Sequence, residues 1–393
     1  MRGSARGAYG LDESSISDVV VVGGGPAGLA AAIGLAEARL AVSMIEVKPA
    51  IGTSVACAEG VNQYIEQDTG FQINRHITQE IISSCVHIGR DRTDLPHGFF
   101  SGAVIDKRSL LQTLAEQAEV SGARIHRQVR FLRADFSAQH AILHVSDRGR
   151  IAQMRARIVI GADGPISLVA QSRLGPRYTQ LALMRCAQLV VQNTVIPQAE
   201  TTQFHFFFMP NNNAGYGWMF PKSTSSANIG VGSFDPSVNV RRTLEELVSS
   251  NPLVDQVVRK ASKVTLTGGL VPVSGPRDAE QLVSDGVLLA GSAGGIVEPI
   301  MGEGIGPALS SGCAAADAVQ AALANGGRER EHLLPYMPLW RGKTYLGTHK
   351  LGEVLDETAK SLPFFYSQVA KAHTRRKPAM ALGKLMHRLN KAL

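Results

Sequence analysis

Three glycines and one acidic residue near the N-terminus have the types and spacing of a nucleotide-binding turn. Gly23, Gly25 and Gly28 follow the pattern G-x-G-x-x-G, and Glu46 lies 23 positions after Gly23. Glycines at this spacing let the chain turn tightly and let a pyrophosphate approach the backbone N–H groups. Glu46 lies about where a carboxylate meets a ribose 2′-OH in such motifs. The alternative interpretation is a glycine turn that holds no nucleotide.

The elements around these residues have the order that the motif requires. The apolar, β-branched run from Asp18 to Val22 predicts a strand that is buried on both faces. A helix is expected from Pro26 to about Glu37, with its N-terminal N–H groups directed at the phosphate. Together they predict a dinucleotide-binding unit.

Two later segments belong with this unit. GADG at 161–164 follows an apolar strand and resembles the motif that flavoprotein hydroxylases place beside the pyrophosphate and ribityl chain. The segment from Gly286, GVLLAGSAGGIVEPIMGEGIGPALSSG, has glycines that let backbone N–H groups face a flavin. It also opens a helix whose positive end can stabilise a reduced, anionic flavin. The order of the three segments predicts one FAD-binding domain that is split by an insertion.

The pattern between these segments changes to β-structure, so the predicted fold class is α/β. We expect a Rossmann-type FAD-binding domain, an inserted antiparallel-sheet substrate domain and a helical C-terminal region. The expected division is a flexible lead-in at 1–17, the FAD-binding domain at 18–78, 106–175 and 265–328, the substrate domain at 79–105 and 176–264, and the C-terminal region at 329–393. The single dinucleotide fingerprint predicts no separate NAD(P)H domain.

Composition and charge exclude several classes of function. No uninterrupted apolar stretch approaches the roughly 18–20 residues of a membrane-spanning helix. The four cysteines are scattered and form no C-x-x-C pair, which argues against an iron–sulfur cluster or a zinc site, so no metal is expected. Scattered cysteines also fit a reducing cytoplasm. The net charge of +7 lies entirely in the last 23 residues, so the neutral body does not favour nucleic-acid binding.

Two further motifs narrow the family. IGTSVACAEGV at 51–61 resembles the C-G-E-G segment of geranylgeranyl reductases, with Ala58 in place of the first glycine, and GYGWMFPK at 215–222 resembles their Y-x-W-x-F-P-K segment. With GEGI at 302–305, the chain resembles the geranylgeranyl reductase family of FAD-dependent oxidoreductases over about residues 18–345. These proteins have a para-hydroxybenzoate-hydroxylase-like flavoprotein fold. The resemblance implies that a reduced, non-covalently bound flavin delivers a hydride to an isolated C=C bond of a prenyl chain.

The resemblance also implies a set of residues that contact FAD. Lys107, or Arg108 beside it, stands where relatives often carry an arginine near the adenosine. Ser292 replaces the aspartate that normally holds the ribityl hydroxyls, so FAD affinity is expected to be reduced. The full expected set is Gly23, Gly25, Pro26, Ala27, Gly28, Glu46, Val47, Cys57, Lys107, Arg108, Val129, Asp163, Gly164, Gly291, Ser292, Pro299, Gly302, Gly304 and Ile305.

Side chains for catalysis and for an apolar substrate come from the same motifs. An isoprenoid chain needs a long apolar tunnel, and Tyr216, Trp218 and Phe220 share one face of a strand. We expect these three to line the tunnel, and FHFFFM at 204–209 mainly to fill the core. Cys57 either lies over the flavin, as the family cysteine does, or is an inert buried thiol. Glu59, Glu298 and Glu303 either supply a proton or act as ordinary solvated or helix-capping acids; Tyr216 and Trp218 join Cys57, Glu59 and Glu303 as catalytic candidates.

The C-terminal tail carries a second signal. From residue 379 onward, apolar residues recur on one helical stripe with lysine and arginine off it, which is typical of a basic amphipathic helix on an anionic membrane surface. The alternative is a helix that packs on the body. The expected setting is therefore cytoplasmic and peripheral to the inner face of a membrane. The expected partners are a prenyl lipid and a redox protein, and the electron donor stays open among NADPH, ferredoxin and others.

Three rival functions use similar scaffolds. The first is a flavin monooxygenase or halogenase, although the second tryptophan signature of the halogenases is missing. The second is an electron-transfer flavoprotein dehydrogenase that passes electrons to a quinone. The third is a non-redox flavoprotein in which flavin only stabilises charge.

Overall fold

A computed structural model describes residues 15–336, except 54, 90, 96, 98–100, 175–182, 213, 273–281 and 299–300. The strands are β1 (Ile16–Val22), β2 (Val42–Glu46), β3 (Gly60–Asn62), β4 (Ile77–Ile81), β5 (Ser83–Ile88), β6 (Asp91–Asp94), β7 (Gly102–Ile105), β8 (Arg124–Arg127), β9 (Val129–Phe136), β10 (Ala141–Asp147), β11 (Arg150–Gly161), β12 (Leu183–Gln192), β13 (Gln203–Phe208), β14 (Gly215–Ser223), β15 (Ser226–Ser233), β16 (Lys263–Pro272), β17 (Val283–Ser284) and β18 (Val287–Leu289). The helices are α1 (Pro26–Glu37), α2 (Ile65–Thr69), α3 (Lys107–Val120), α4 (Leu168–Leu174), α5 (Val240–Ser250), α6 (Pro252–Arg259), α7 (Ile305–Ala324) and α8 (Arg330–Leu333).

The first sheet joins distant parts of the chain. Its main path runs β17-β18-β11-β1-β2-β8, and β10 and β9 extend it from β11. The central pairs β18–β11, β11–β1, β1–β2 and β2–β8 are parallel. The valines of β1 are buried on both faces, as the sequence predicts for a strand covered by helices on each side.

Helix α1 begins at Pro26, as predicted, and packs against α7 from the far end of the chain. Small residues allow this close approach. A Cβ on Gly312 would lie 2.3 Å from the carbonyl oxygen of Ala27, and one on Gly34 would lie 2.9 Å from the Cβ of Ala316. The first and last parts of the described chain therefore share one core.

The second sheet has seven strands in the order β16-β12-β15-β14-β13-β5-β6. All neighbours are antiparallel except β13 and β5, which run parallel. The predicted antiparallel sheet is therefore confirmed except at this one pair, where β5 enters the sheet from a distant segment instead of through a hairpin. Helices α5 and α6 pack on one face of the sheet.

Two further features concern residues 240–261 and the segment 79–105. Residues 240–261 form two helices, because Pro252 begins α6 and Asn251 caps it with Oδ1. Strands β4 and β7, from the segment 79–105 and its flank, pair with β3 in a separate three-stranded sheet. The lead-in before residue 15 and the tail 379–393 lie outside the described residues. Within the described part of the chain, no helix combines the length and apolarity needed to cross a membrane.

Candidate active site

A cavity of about 450 Å³ lies between the first and second sheets. One end is formed by the glycine-rich turns at the start of α1 and before α7. The other end is formed by side chains of β12, β13, β14 and β16. The predicted site residues that line it are Gly25, Pro26, Ala27, Cys57, Glu59, Lys107, Gly164, Tyr216, Trp218, Phe220, Gly291, Ser292, Gly302, Glu303, Gly304 and Ile305.

The start of α1 forms an open cradle of backbone. Gly25 is the N-cap, with φ −82° and ψ −179°, and no side chain caps the helix. A Cβ added to Gly25 or to Gly164 would meet no protein atom within 4 Å. Because both positions border the cavity, the empty space is where a ligand would pass close to the backbone. Helix N–H groups with no capping side chain fit the pyrophosphate of FAD.

Gly23 and Gly28 allow the backbone to pack closely in the turn and do not line the cavity. Gly23 has φ +108°, and a Cβ there would lie 2.4 Å from the carbonyl oxygen of Ala162. A Cβ on Gly28 would lie 2.0 Å from the carbonyl oxygen of Gly23. The three glycines of the motif therefore divide into two that permit the turn and one, Gly25, that leaves room for a ligand.

Both carboxylates predicted near the cofactor are held by backbone groups. Glu46 accepts hydrogen bonds from the N–H of Gly24 (2.8 Å) and of Lys48 (2.8 Å). Asp163 accepts from the hydroxyl of Ser167 (2.6 Å) and from two N–H groups at the start of α4. Burial raises the pKa of Asp163. Neither side chain lines the cavity, so their contacts with the cofactor stay predictions.

Three more predicted cofactor residues also lie off the cavity. Arg108 turns its Nε to the carbonyl oxygen of Gly52, at 3.3 Å. Val129 is buried at the start of β9, where it pairs with Asp147, and Val47 is exposed. Pro299 lies outside the described residues.

The second glycine segment brings Glu303 to the start of α7. Its Oε1 accepts hydrogen bonds from the N–H groups of Ile305 (3.0 Å) and Gly306 (2.8 Å). Its Oε2 is buried and has no hydrogen-bond partner among the described residues. Burial, with the nearby negative charge of Glu298, raises the pKa of Glu303 to about 7. The carboxyl therefore occupies the helix end that the sequence assigns to the flavin, and at neutral pH it is poised between its two protonation states.

An aromatic wall, formed by Phe204, Phe206, Tyr216, Trp218 and Phe220, closes the other end of the cavity. Tyr216, Trp218 and Phe220 share one face of β14, as predicted from their alternation. The hydroxyl of Tyr216 donates to the carbonyl oxygen of Met301, and burial raises the pKa of this phenol.

The phenylalanines of FHFFFM are buried, as the expectation of a core segment requires, but two of them also line the cavity. Phe204 and Phe206 line the cavity, because β13 lies beside β14 and alternates with the same period. Phe207 points to the opposite face and packs under the helices α5 and α6. The period of two was visible in the sequence, but which strand lies next to β14 was not.

A chain of hydrogen bonds connects the aromatic wall to Cys57. The indole N–H of Trp218 donates to Oε1 of Gln188 (3.1 Å), and Nε2 of Gln188 donates to the carbonyl oxygen of Cys57 (3.0 Å). The thiol accepts from the N–H of Glu59 at 3.3 Å. Gln188, on β12, was not predicted from the sequence, since a single buried glutamine has no motif around it.

Glu59 is the centre of a buried polar group. Its Oε1 accepts from the N–H of Lys107 (3.0 Å), and its Oε2 accepts from Lys222 and from the amide of Asn228 (2.9 Å). Its backbone is left-handed, with φ +66°. Because both oxygens are engaged by donors, Glu59 fixes the loop that carries Cys57, whereas Glu303 retains a free oxygen.

Comparisons with known proteins agree with this geometry. Residues 17–338 match the family described as FAD binding domain. A digeranylgeranylglycerophospholipid reductase of Methanoculleus marisnigri is 32% identical over 365 residues, covering 88% of this chain and 86% of its own. Digeranylgeranylglycerophospholipid reductase 2 of Methanococcoides burtonii is 31% identical, covering 82% and 80%.

Solved structures show the same fold. A geranylgeranyl bacteriochlorophyll reductase-like protein of Thermoplasma acidophilum aligns with a TM-score of 0.75 at 23% identity, covering 94% of this chain and 99% of its own. The myxobacterial chondrochloren halogenase CndH aligns with a TM-score of 0.67 at 15% identity, covering 90% and 91%. At these identities the likeness concerns the fold alone.

Proposed function

The chain belongs to the geranylgeranyl reductase family of FAD-dependent oxidoreductases, and from this premise we propose that it saturates isolated C=C bonds in the prenyl chains of a lipid. The observation that carries the proposal is the continuity of one cavity from the open glycine cradle to the aromatic wall. A prenyl chain offers only C–H and alkene surface, so a site for it must be apolar and must reach the cofactor. Two relatives of about 30% identity carry the name digeranylgeranylglycerophospholipid reductase.

We assign the cofactor to the glycine end of the cavity. Gly25, Pro26, Ala27, Gly164, Gly291, Ser292, Gly302, Gly304 and Ile305 would hold FAD there. Reduced FAD supplies the hydride when bound. The protein positions the alkene against the cofactor and excludes water. It must do so by apolar contacts, because an alkene has no polar group that a hydrogen bond could orient.

We assign the substrate to the aromatic wall and the proton to Glu303. Phe204, Tyr216, Trp218 and Phe220 would pack against the prenyl chain and exclude water. Glu303 lines the same cavity, and its pKa of about 7 leaves part of the population protonated at neutral pH. A carboxyl with such a pKa suits proton donation to the second alkene carbon. Cys57 lies on the same cavity and is held in place through Gln188 and Glu59.

The proposal is tested by anaerobic turnover of digeranylgeranylglycerophospholipid with dithionite-reduced enzyme. Mass spectrometry should show products heavier by the mass of two hydrogens for each saturated bond. The matched control is the same lipid with its prenyl chains already saturated, which should leave the flavin reduced. No mass change, or oxygen consumption coupled to substrate in air, would reject a reductase and favour a monooxygenase.

We further propose that residues 379–393 bind an anionic membrane surface and that a redox protein or NADPH supplies the electrons. The support for the membrane proposal is the apolar stripe with basic flanks in the sequence. Each lysine or arginine near such a surface contributes ~1 kcal/mol, so truncation after Pro378 should weaken sedimentation with anionic vesicles, and salt should weaken that of the full chain. Sedimentation that ignores both changes would contradict the proposal.

A further inference from the structure

A cluster of three potential metal ligands lies on the face of the second sheet that is turned away from the cavity. Cys85 and His205 are paired residues of the parallel strands β5 and β13, and His87 follows Cys85 by two positions. All three therefore point to the same face. Phe207 continues this face, and its ring stacks on His87 with 4.5 Å between the ring centroids.

The cluster is buried and compact. Cys85 and His205 have no exposed surface, and His87 is 7% exposed. Nε2 of His87 lies 3.4 Å from the sulfur of Cys85 and 3.3 Å from Nδ1 of His205. All three ligand atoms lie within 4.8 Å of one another. Around a tetrahedral zinc ion, with bonds of about 2.3 Å to sulfur and about 2.0–2.1 Å to nitrogen, neighbouring ligand atoms stand about 3.3–3.6 Å apart.

The surroundings orient His205 for coordination through Nδ1. Its other ring nitrogen, Nε2, lies 3.1 Å from the backbone carbonyl oxygen of Glu200 and 3.5 Å from the carboxylate of the same residue. A proton on Nε2 is donated to the carbonyl oxygen of Glu200 and leaves the lone pair of Nδ1 directed at His87. Histidines that bind metals commonly donate their second N–H to a carbonyl or carboxylate in this way.

The charges around the cluster match a divalent cation. Arg92 pairs with Asp94 at 3.0 Å and with Glu200 at 2.8 Å. Asp94 is the partner of Cys85 in the β5–β6 pair, which places a carboxylate beside the thiol. The carboxylates of Asp94 and Glu200 exceed the cation Arg92 by one negative charge, and a bound metal would add the negative charge of the Cys85 thiolate.

We propose that Cys85, His87 and His205 bind a zinc ion that fastens β5 to β13. The site is separate from the proposed reductase site, and its role is structural. The opposite face of the same strands carries Phe204 and Phe206, so the ion would hold the cavity wall in register from behind. The spacing between cysteines gives no sign of this site, because His205 lies 118 residues after His87 and is brought to it only by the pairing of β5 with β13.

The test begins with metal analysis of the tag-free, flavin-loaded protein purified from zinc-supplemented cells. Inductively coupled plasma mass spectrometry should find about one zinc per chain. Cys85→Ser and His87→Gln should each lose most of it, whereas the matched control Cys313→Ser, on α7, should retain it. Removing zinc with a chelator should lower the Tm of the wild type by roughly 5 °C and leave that of Cys85→Ser unchanged.

Cobalt substitution keeps the test decisive if the variants fail to fold. Co²⁺ in the wild type should give d–d bands of tetrahedral thiolate coordination at wavelengths beyond the flavin absorption. Wild-type protein with no zinc above background and no change of Tm on adding Zn²⁺ would overturn the proposal and leave a hydrogen-bonded Cys-His-His set. Equal zinc content in wild type and folded Cys85→Ser would overturn it as well, since the ion would then bind elsewhere.

Discussion

At the end of the cavity that we assign to the cofactor, called the cofactor end below, the protein presents backbone; at the end that we assign to the substrate, called the substrate end, it presents side chains. Gly25 and Gly164 leave space into which an added Cβ would project freely. The aromatic wall fills its space with rings, which contact one another at centroid distances such as 4.4 Å for Phe204 and Phe220. One end is therefore sensitive to added atoms and the other to removed atoms.

The largest effect is expected where an atom is added to the cradle. Gly25→Leu should fold, because its Cβ meets no protein atom, but the side chain should occupy the path of the pyrophosphate. FAD binding should weaken at least ~100-fold, or about 2.8 kcal/mol. The ratio of flavin to protein absorbance measures the loss. Gly28→Leu is the contrasting variant: its Cβ would overlap the backbone of Gly23, so this variant should not fold. A Gly25→Leu protein that retains its yellow flavin would refute the assignment of the cradle.

The next effect is expected at Glu303, which lines the cavity at the start of α7. As the proposed proton donor it must be protonated, so turnover should fall as pH rises through about 7. Glu303→Gln keeps the acceptor for the start of α7 but has no acidic proton, and turnover should drop roughly 100-fold with a flat pH profile. Stopped-flow reoxidation of the flavin by the lipid measures both. An unchanged profile in the variant would exclude Glu303 as the donor.

The same carboxyl should affect the stability of flavin-free protein. Its pKa is raised from 4.5 to about 7 in the folded state, so the stabilisation from its protonation is fully present below about pH 4.5 and is lost as pH rises through about 7. Between those limits the wild type should lose about 3 kcal/mol relative to Glu303→Gln. Urea unfolding at pH 5 and pH 8 tests the sign: the free energy of unfolding of the wild type, relative to that of Glu303→Gln, should be higher at pH 5 than at pH 8, and the reverse order would contradict the assignment.

The two faces of β14 should respond differently to truncation. Trp218→Ala opens the wall and removes the donor to Gln188, so the folded enzyme should turn over prenyl lipid roughly tenfold more slowly with its flavin spectrum intact. Met219→Ala, on the opposite face, should cost ~2–5 kcal/mol of stability and leave the turnover of the folded fraction unchanged. Thermal melts with kinetics separate the two. Equal losses of turnover would mean that the wall acts only as core.

The smallest effect is expected at Ser292. Ser292→Asp introduces a charged acceptor at the end of the cavity assigned to the cofactor, where the family resemblance predicts an aspartate, and should tighten FAD binding ~3–10-fold. Titration of apoprotein with FAD, followed by flavin fluorescence, gives the affinity. An unchanged affinity would show that this loop binds the ribityl chain through its backbone. The loop would then resemble the glycines of the cradle, which also present backbone to the ligand.

The cofactor end could largely be predicted from the sequence, because its determinants are local. The pattern of Gly23, Gly25 and Gly28 acts within one turn, and α1 begins at Pro26 as the spacing indicates. What the pattern could not show is which glycine faces the ligand. That depends on Ala162, a residue more than 130 positions away that crowds Gly23.

At the substrate end, the sequence predicted only those wall residues that lie on a single strand. The alternation of Tyr216, Trp218 and Phe220 lies within β14. The pairing of β12, β13 and β15 decides whether Phe204, Gln188 and the donors to Glu59 reach the site. Residues close together in the sequence do not determine which strands pair. The cluster of Cys85, His87 and His205 also depends on strand pairing, because its residues meet only where β5 lies parallel to β13.

The order of strands in the first sheet means that the sheet can be completed only late in the synthesis of the protein. β1 is complete at Val22, but β18, which joins the same sheet through β11, begins at Val287. At ~5–20 residues per second, about 10–50 s separate their appearance from the ribosome. Until then the face of α1 that meets α7 has no partner, and the cradle lacks its second glycine segment. The face of α1 that packs on α7 is therefore without this partner during most of synthesis, and the cavity is complete only after almost all of the described chain has been made.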